Sequence, residues 1–63
     1  MNKVGDRLRK LRGKRSMEEV AKAVGVKRST IGMYELGQRV PRDAIKIKLA
    51  DYYKTDVKTL FYD

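Results

Sequence analysis

Three glycines, Gly13, Gly25 and Gly37, fall twelve residues apart and cut the first part of the chain into segments too short for any long element. Glycine enters the left-handed backbone region without steric cost, so glycines at this spacing read as a series of helix stops. Between the stops, apolar residues recur with a helical period. Val4, Leu8 and Leu11 stand at i, i+4 and i+7, which predicts a helix from Lys3 to Arg12 ended by Gly13. Ser16-Met17-Glu18-Glu19 has the form of a capping box. The serine hydroxyl can accept from the Glu19 amide while the Glu19 carboxylate reaches back to the Ser16 amide. A second helix follows from about Met17 to Val24, with Val20, Ala21 and Val24 facing inward. Past the sharp turn at Gly25, a third helix runs from near Arg28 to Leu36, with Ile31 and Tyr34 inward. After Gln38-Arg39-Val40-Pro41, a fourth spans about Arg42 to Tyr53, with Ala44, Ile45, Ile47, Leu49, Ala50 and Tyr53 expected to be mostly buried. Asp56 can cap a last short helix through Phe61. No stretch alternates with the period of a strand. The expected fold is all-α, with five helices in a single domain over residues 1–63.

Helices this short need a shared core, and 63 residues lie near the lower limit for folding without a staple. The chain has no cysteine and no histidine. That excludes a disulfide framework and the Cys/His zinc sites, and it removes the usual nucleophiles and proton shuttles. No catalytic set is left for an enzyme, and no metal or cofactor is expected. No apolar run approaches the roughly 20 residues needed to span a bilayer, and no signal peptide precedes the first charges. A cytoplasmic protein without membrane contact is expected. Four of the five aromatics, Tyr52, Tyr53, Phe61 and Tyr62, crowd the last twelve residues. They form either the lid of a small core or part of a dimer interface.

The net charge of +8 is unevenly spread. Residues 1–15 carry seven Lys/Arg against Asp6 alone. Residues 36–49 add Arg39, Arg42, Lys46 and Lys48 against Asp43, while residues 16–35 balance to zero. Two basic stretches around a neutral centre suit a polyanion such as DNA or RNA. RNA is disfavoured, for want of exposed aromatic stacking platforms.

Ala21, four residues before Gly25, is small enough to let two helices approach closely across the turn. Val20, Val24, Val26, Ile31 and Tyr34 are the apolar positions that lock them together. With Ser16, Glu18-Glu19, Gly25-Val26, Tyr34-Glu35, Gly37 and Pro41, this pattern resembles the helix-turn-helix of the phage repressor and Cro type, the xenobiotic-response-element family of bacterial and phage regulators. Leu8-Arg9-Lys10-Leu11-Arg12 and Leu60-Phe61 also fit, so the resemblance covers essentially the whole chain. It implies a compact lambda-repressor-like bundle whose second and third helices form the helix-turn-helix, at about residues 17–36. It further implies a sequence-specific regulator of transcription, a repressor, that places its third helix in the major groove of double-stranded DNA.

At 100° per residue, Ser29 and Met33 point opposite Ile31, with Gly32 and Leu36 on the flanks of the same outer face. Arg28, at the first turn, can reach the O6 and N7 acceptors of guanine; Ser29 can bond either base type, and Met33 suits a thymine methyl. Lys27 and Thr30 are expected on phosphates, with Gln38, Arg39 and Arg42 as further clamps. At the start of the second helix the family usually carries glutamine, whereas this chain has Met17. Its backbone amide, or Lys14 and Arg15, must then hold the phosphate. Gly32 costs roughly 1 kcal/mol against alanine in a helix interior. It either admits the backbone close to DNA or is a weakly optimised position. Lys27 replaces the family's usual serine or threonine cap, and the Arg12–Met17 connection is about two residues shorter than the family's. The resemblance also implies a structural ion pair between Arg12 and Glu35.

A single short helix reads few base pairs, so a homodimer on a two-fold operator is expected, with Leu60, Phe61 and Tyr62 in its interface. The competing reading keeps the fold but makes it an interaction module, such as an antitoxin or anti-regulator whose partner docks on the aromatic tail.

Overall fold

Each break between helices in the computed structural model, which describes residues 3–62, contains a residue in the left-handed backbone region. The ends of the 1–63 unit expected above lie outside the described residues. The elements are α1 (Lys3–Arg12), α2 (Met17–Val24), α3 (Arg28–Leu36), α4 (Asp43–Tyr52) and a short π-helix, Lys58–Tyr62. Among the described residues there is no strand.

Gly25 ends α2 at φ 77° and ψ 35°, and its amide donates to the Ala21 carbonyl at 2.8 Å. Gly37 ends α3 at φ 76°. There the Gln38 amide donates to the Met33 carbonyl at 2.9 Å and the Gly37 amide to that of Tyr34 at 3.2 Å, the paired bonds of a Schellman motif. The same pair of bonds closes α4, from Thr55 to Ala50 at 2.9 Å and from Lys54 to Asp51 at 3.1 Å. Here the left-handed position, φ 58°, is held by Lys54, whose Cβ makes that conformation unfavourable. At the start of α2 only half of the capping box forms. Ser16 Oγ accepts from the Glu19 amide at 3.0 Å, but the Glu19 carboxylate accepts instead from the Tyr52 hydroxyl at 3.4 Å.

The helix α3 is the hub. It packs on both α1 and α2, while α2 also meets α4 and α1 meets the π-helix. Leu8, Val20, Val24, Ile31, Tyr34, Leu49, Tyr53, Leu60 and Phe61 are buried together. Each fully buried Val or Leu contributes about 1.5–3 kcal/mol relative to exposure. The Arg7 guanidinium fastens the π-helix to α1 by donating to the carbonyls of Thr59 and Leu60 at 3.1 and 3.3 Å. The Asp56 carboxylate caps that helix by accepting from the Thr59 amide at 2.7 Å and from the Thr59 hydroxyl at 3.1 Å. Those bonds hold the Asp56 carboxyl below its ordinary pKa.

Three expectations need correction. The fourth helix is shorter at both ends than Arg42–Tyr53, and the core takes a different face of it. Ala44 is exposed and Ile47 is 54% exposed, whereas Lys46 is buried. The inward row is 46, 49, 50 and 53, the i, i+3, i+4, i+7 set that ends on Tyr53. Buried Lys46 keeps company for its charge. Its Nζ donates to the Tyr62 hydroxyl at 2.6 Å, lies 4.6 Å from that ring's centroid and 5.6 Å from that of Phe61, and stands 4.0 Å from Asp43. The last correction concerns the tail. Leu60 and Phe61, expected in a dimer interface, belong to the chain's own core, which leaves only Tyr62 of the three exposed.

Across the bundle, Arg12 and Glu35 form a two-pronged ion pair, Nε to Oε2 at 2.7 Å and Nη2 to Oε1 at 3.2 Å. The third guanidinium nitrogen, Nη1, donates to the Arg15 carbonyl at 2.8 Å. The Glu35 side chain is 4% exposed. Hydrogen bonding to Glu35 raises the Arg12 pKa, and burial, followed by the Glu35 charge, pushes the Tyr53 hydroxyl up to about 12.

Two stability changes follow. Arg12→Ala strands a buried carboxylate and should cost about 3 kcal/mol in urea unfolding at neutral pH. Lys54→Gly relieves the left-handed backbone and should gain about 0.5–1 kcal/mol, net of the entropy glycine adds to the unfolded chain. A loss of stability at position 54 would contradict the strain assigned there.

Candidate nucleic-acid interface

With Ile31, Tyr34 and Glu35 turned into the protein, the opposite edge of α3 is left to solvent. Arg28 and Ser29 are exposed at its first turn, Gly32 and Met33 are half-buried, and Leu36 is 67% exposed at its end. Thr30 is buried and lines the wall of a cleft rather than standing on this edge. The phosphate contact expected of it from the sequence would have to be made inside that cleft, not on the exposed edge. On α3 Thr30 sits one residue before Ile31 and four before Tyr34, on the packed side.

The N-termini of α3 and α4 share an unusual chemistry. Lys27 is the N-cap of α3 at φ −76°, ψ 151°, and Arg42 that of α4 at φ −68°, ψ 162°. Neither side chain makes a capping bond. An N-cap favours a short acceptor, and the positive end of the helix dipole disfavours a cation, so both positions work against helix stability. Lys27, Arg39 and Arg42 line one cleft of about 430 Å³ together with Thr30 and Tyr34. Three cations thus border a space onto which two uncapped helix starts open. An anion placed there can pair with these side chains. Gln38 and Arg39 are exposed on the loop between the two helices.

The third helix start, that of α2, is built differently. Ser16 occupies its Glu19 amide, and the Met17 and Glu18 amides of the first turn have no helical carbonyl to meet. Met17 is half-buried, and its Sδ lies 3.6 Å from where a Cβ on Gly32 would stand. That is ordinary van der Waals spacing, so contacts inside the protein do not require a glycine at 32. Lys14 and Arg15 are exposed just before this helix. The Arg15 guanidinium lies over the rings of Tyr52 and Tyr53, at 5.4 and 5.8 Å from their centroids, and Nη1 donates to the Leu11 carbonyl at 3.0 Å.

Sequence reasoning missed two features of this surface. Lys46, counted with the basic stretch 36–49, is internal and gives its charge to the aromatic tail. Its helical register with Leu49, Ala50 and Tyr53 is the signal that could have found it. Val40 (74% exposed) and Tyr62 (64% exposed) border one further cleft and Ile47 another, and Lys46 lines both. Among the described residues, no cluster of three or more potential metal ligands occurs, and no helix is long and apolar enough to cross a membrane.

A family model described as Helix-turn-helix matches residues 7–60. No curated protein and no solved structure matches the chain.

The cationic cap of α3 gives a direct test of the stability forgone there. Lys27→Ser supplies an acceptor for the first-turn amides and should raise the unfolding free energy by about 1 kcal/mol in urea titration. No gain would mean that the α3 start is already satisfied by other groups.

Proposed function

The chain belongs to the helix-turn-helix family of phage repressor and Cro-type regulators, and on that premise we propose that it is a sequence-specific, double-stranded DNA-binding repressor acting as a homodimer. One observation carries the reading: the cation-capped starts of α3 and α4 open on a common basic cleft beside the exposed edge of α3. A helix start that forgoes its cap and carries a lysine or arginine instead is poorly adapted to water alone. It is well adapted to a phosphate.

In this reading Arg28 and Ser29 read base edges in the major groove from the first turn of α3, and Met33 meets a thymine methyl one turn later. Lys27, Gln38, Arg39 and Arg42 hold the backbone on the cleft side of α3, and Arg15 with the Met17 amide holds it at the start of α2. The phosphate contacts fix the register in which Arg28 meets its base. Repression follows from occupancy of the site.

The homodimer is proposed on energetic grounds. One nine-residue helix reads few base pairs, and two half-sites about one turn of DNA apart multiply the discrimination. With Leu60 and Phe61 committed to the core, Tyr62 is left for the second copy, together with the exposed apolar side chains of Val40 and Ile47.

Selection from a random duplex library at physiological salt tests the whole reading. The expected product is a two-fold site, and a pool without enrichment would favour an interaction module on the same fold. Arg28→Ala should cost about 1–3 kcal/mol at one position of each half-site and relax preference there. Arg39→Ala or Arg42→Ala should weaken binding to all sequences alike and lower the salt slope by about 1. Unchanged base preference in Arg28→Ala would remove that residue from the reading set.

A further inference from the structure

The geometry points to Tyr52 as a positioning residue: with Tyr53 it forms an aromatic platform that holds the Arg15 guanidinium ready to grip a DNA phosphate at the start of α2. The inference rests on the DNA reading proposed above. It concerns how one contact is prepared.

Arg15 is restrained at three levels. Its backbone is tied to α1, since its amide donates to the Arg12 carbonyl at 3.0 Å and its carbonyl accepts from Arg12 Nη1 at 2.8 Å. Its guanidinium spends one donor on the Leu11 carbonyl. Its Cζ lies 5.4 and 5.8 Å from the centroids of two tyrosine rings, themselves 5.1 Å apart at an interplanar angle of 63°. The platform is itself anchored, because the Tyr52 hydroxyl donates to the Glu19 carboxylate in the first turn of α2. Yet the residue is exposed, and its side-chain bond to Leu11 leaves guanidinium donors to spare. A free surface arginine loses rotamer freedom when it grips a phosphate; one already stacked has lost that freedom in advance. The need is local. Met17 ends in a thioether, which cannot donate, so a side-chain grip at this helix start has to come from a neighbour. Arginine suits the task better than lysine, because its planar fork can stack on a ring and bond a phosphate with its edge.

The experiment measures affinity for a short random-sequence duplex across a salt series, with thermal unfolding of each variant as a control. Arg15→Ala should lose about 3- to 10-fold in affinity and about 1 in salt slope. Arg15→Lys, on an exposed residue and with the charge kept, should keep the slope but lose most of the same affinity. Tyr52→Leu should lose about threefold with the slope kept, lose nothing further in an Arg15→Ala background, and be largely rescued as Tyr52→Phe. The platform is overturned if Arg15→Lys binds like the parent protein. It is equally overturned if Tyr52→Leu binds like the parent, or costs as much without Arg15 as with it. Should Tyr52→Leu fail to fold, Arg15→Lys decides alone. If the Arg15 variants bind normally while Arg39→Ala and Arg42→Ala are weakened, the platform fails and the DNA reading stands. If none of these changes alters binding, the DNA reading fails with it.

Discussion

The ion pair between Arg12 and Glu35 sets the orientation on which the rest of the molecule depends. The helix α3 has nine residues, a glycine in its middle and no side-chain cap, and a helix of that length is marginal in water. Tertiary contacts must hold it. Ile31 and Tyr34 bury one side, and Glu35, almost without exposure, is drawn onto the two-pronged guanidinium of α1. Removing a carboxylate from water is costly, and the fork of Arg12 offsets this by bonding both oxygens in one fixed geometry. Rotation of α3 about its own axis would break both bonds. The same pair that stabilises the bundle therefore decides that Arg28, Ser29 and Met33 are the residues left facing outward.

Around that fixed edge, the chain places cations where stability alone would place serine or aspartate. Lys27 and Arg42 cap nothing, and each sits at the positive end of a helix. The loss is of the order of 1 kcal/mol per position, a large share of what a 63-residue domain has to spare. Other basic residues are handled differently. Lys46 is drawn inside against ring faces and the Tyr62 hydroxyl, while Arg7 and Arg12 serve as struts between elements. A net charge of +8 is thus partly structural, and only a part of it is available to a polyanion.

How much of this the sequence carried depended on the range of the interaction. Helix limits were legible wherever a local residue enforces them, as Gly25, Gly37, Ser16 and Asp56 do. The end of α4 was less legible, because Lys54 adopts the left-handed conformation without being glycine. The run Ile45-Lys46-Ile47-Lys48-Leu49 was misread because its apolar residues alternate, which conceals the 46, 49, 50, 53 row that meets the core. Thr30 carries no local mark of burial. The outward edge of α3 was legible from helical phase alone, but the pairing of Arg12 with Glu35 came from the family pattern, since 23 residues separate them. The stacking of Arg15 on Tyr52 and Tyr53 spans still more of the chain and left no trace in periodicity or charge.

The central claim is that the outer edge of α3 and the cationic starts of α3 and α4 form one DNA-facing surface. Amide chemical-shift mapping on addition of a DNA duplex tests it most directly. The account predicts shifts concentrated at residues 27–33 and 38–43, with a second set at 15–18. Shifts centred instead on residues 57–62, with the α3 and α4 starts unmoved, would contradict it.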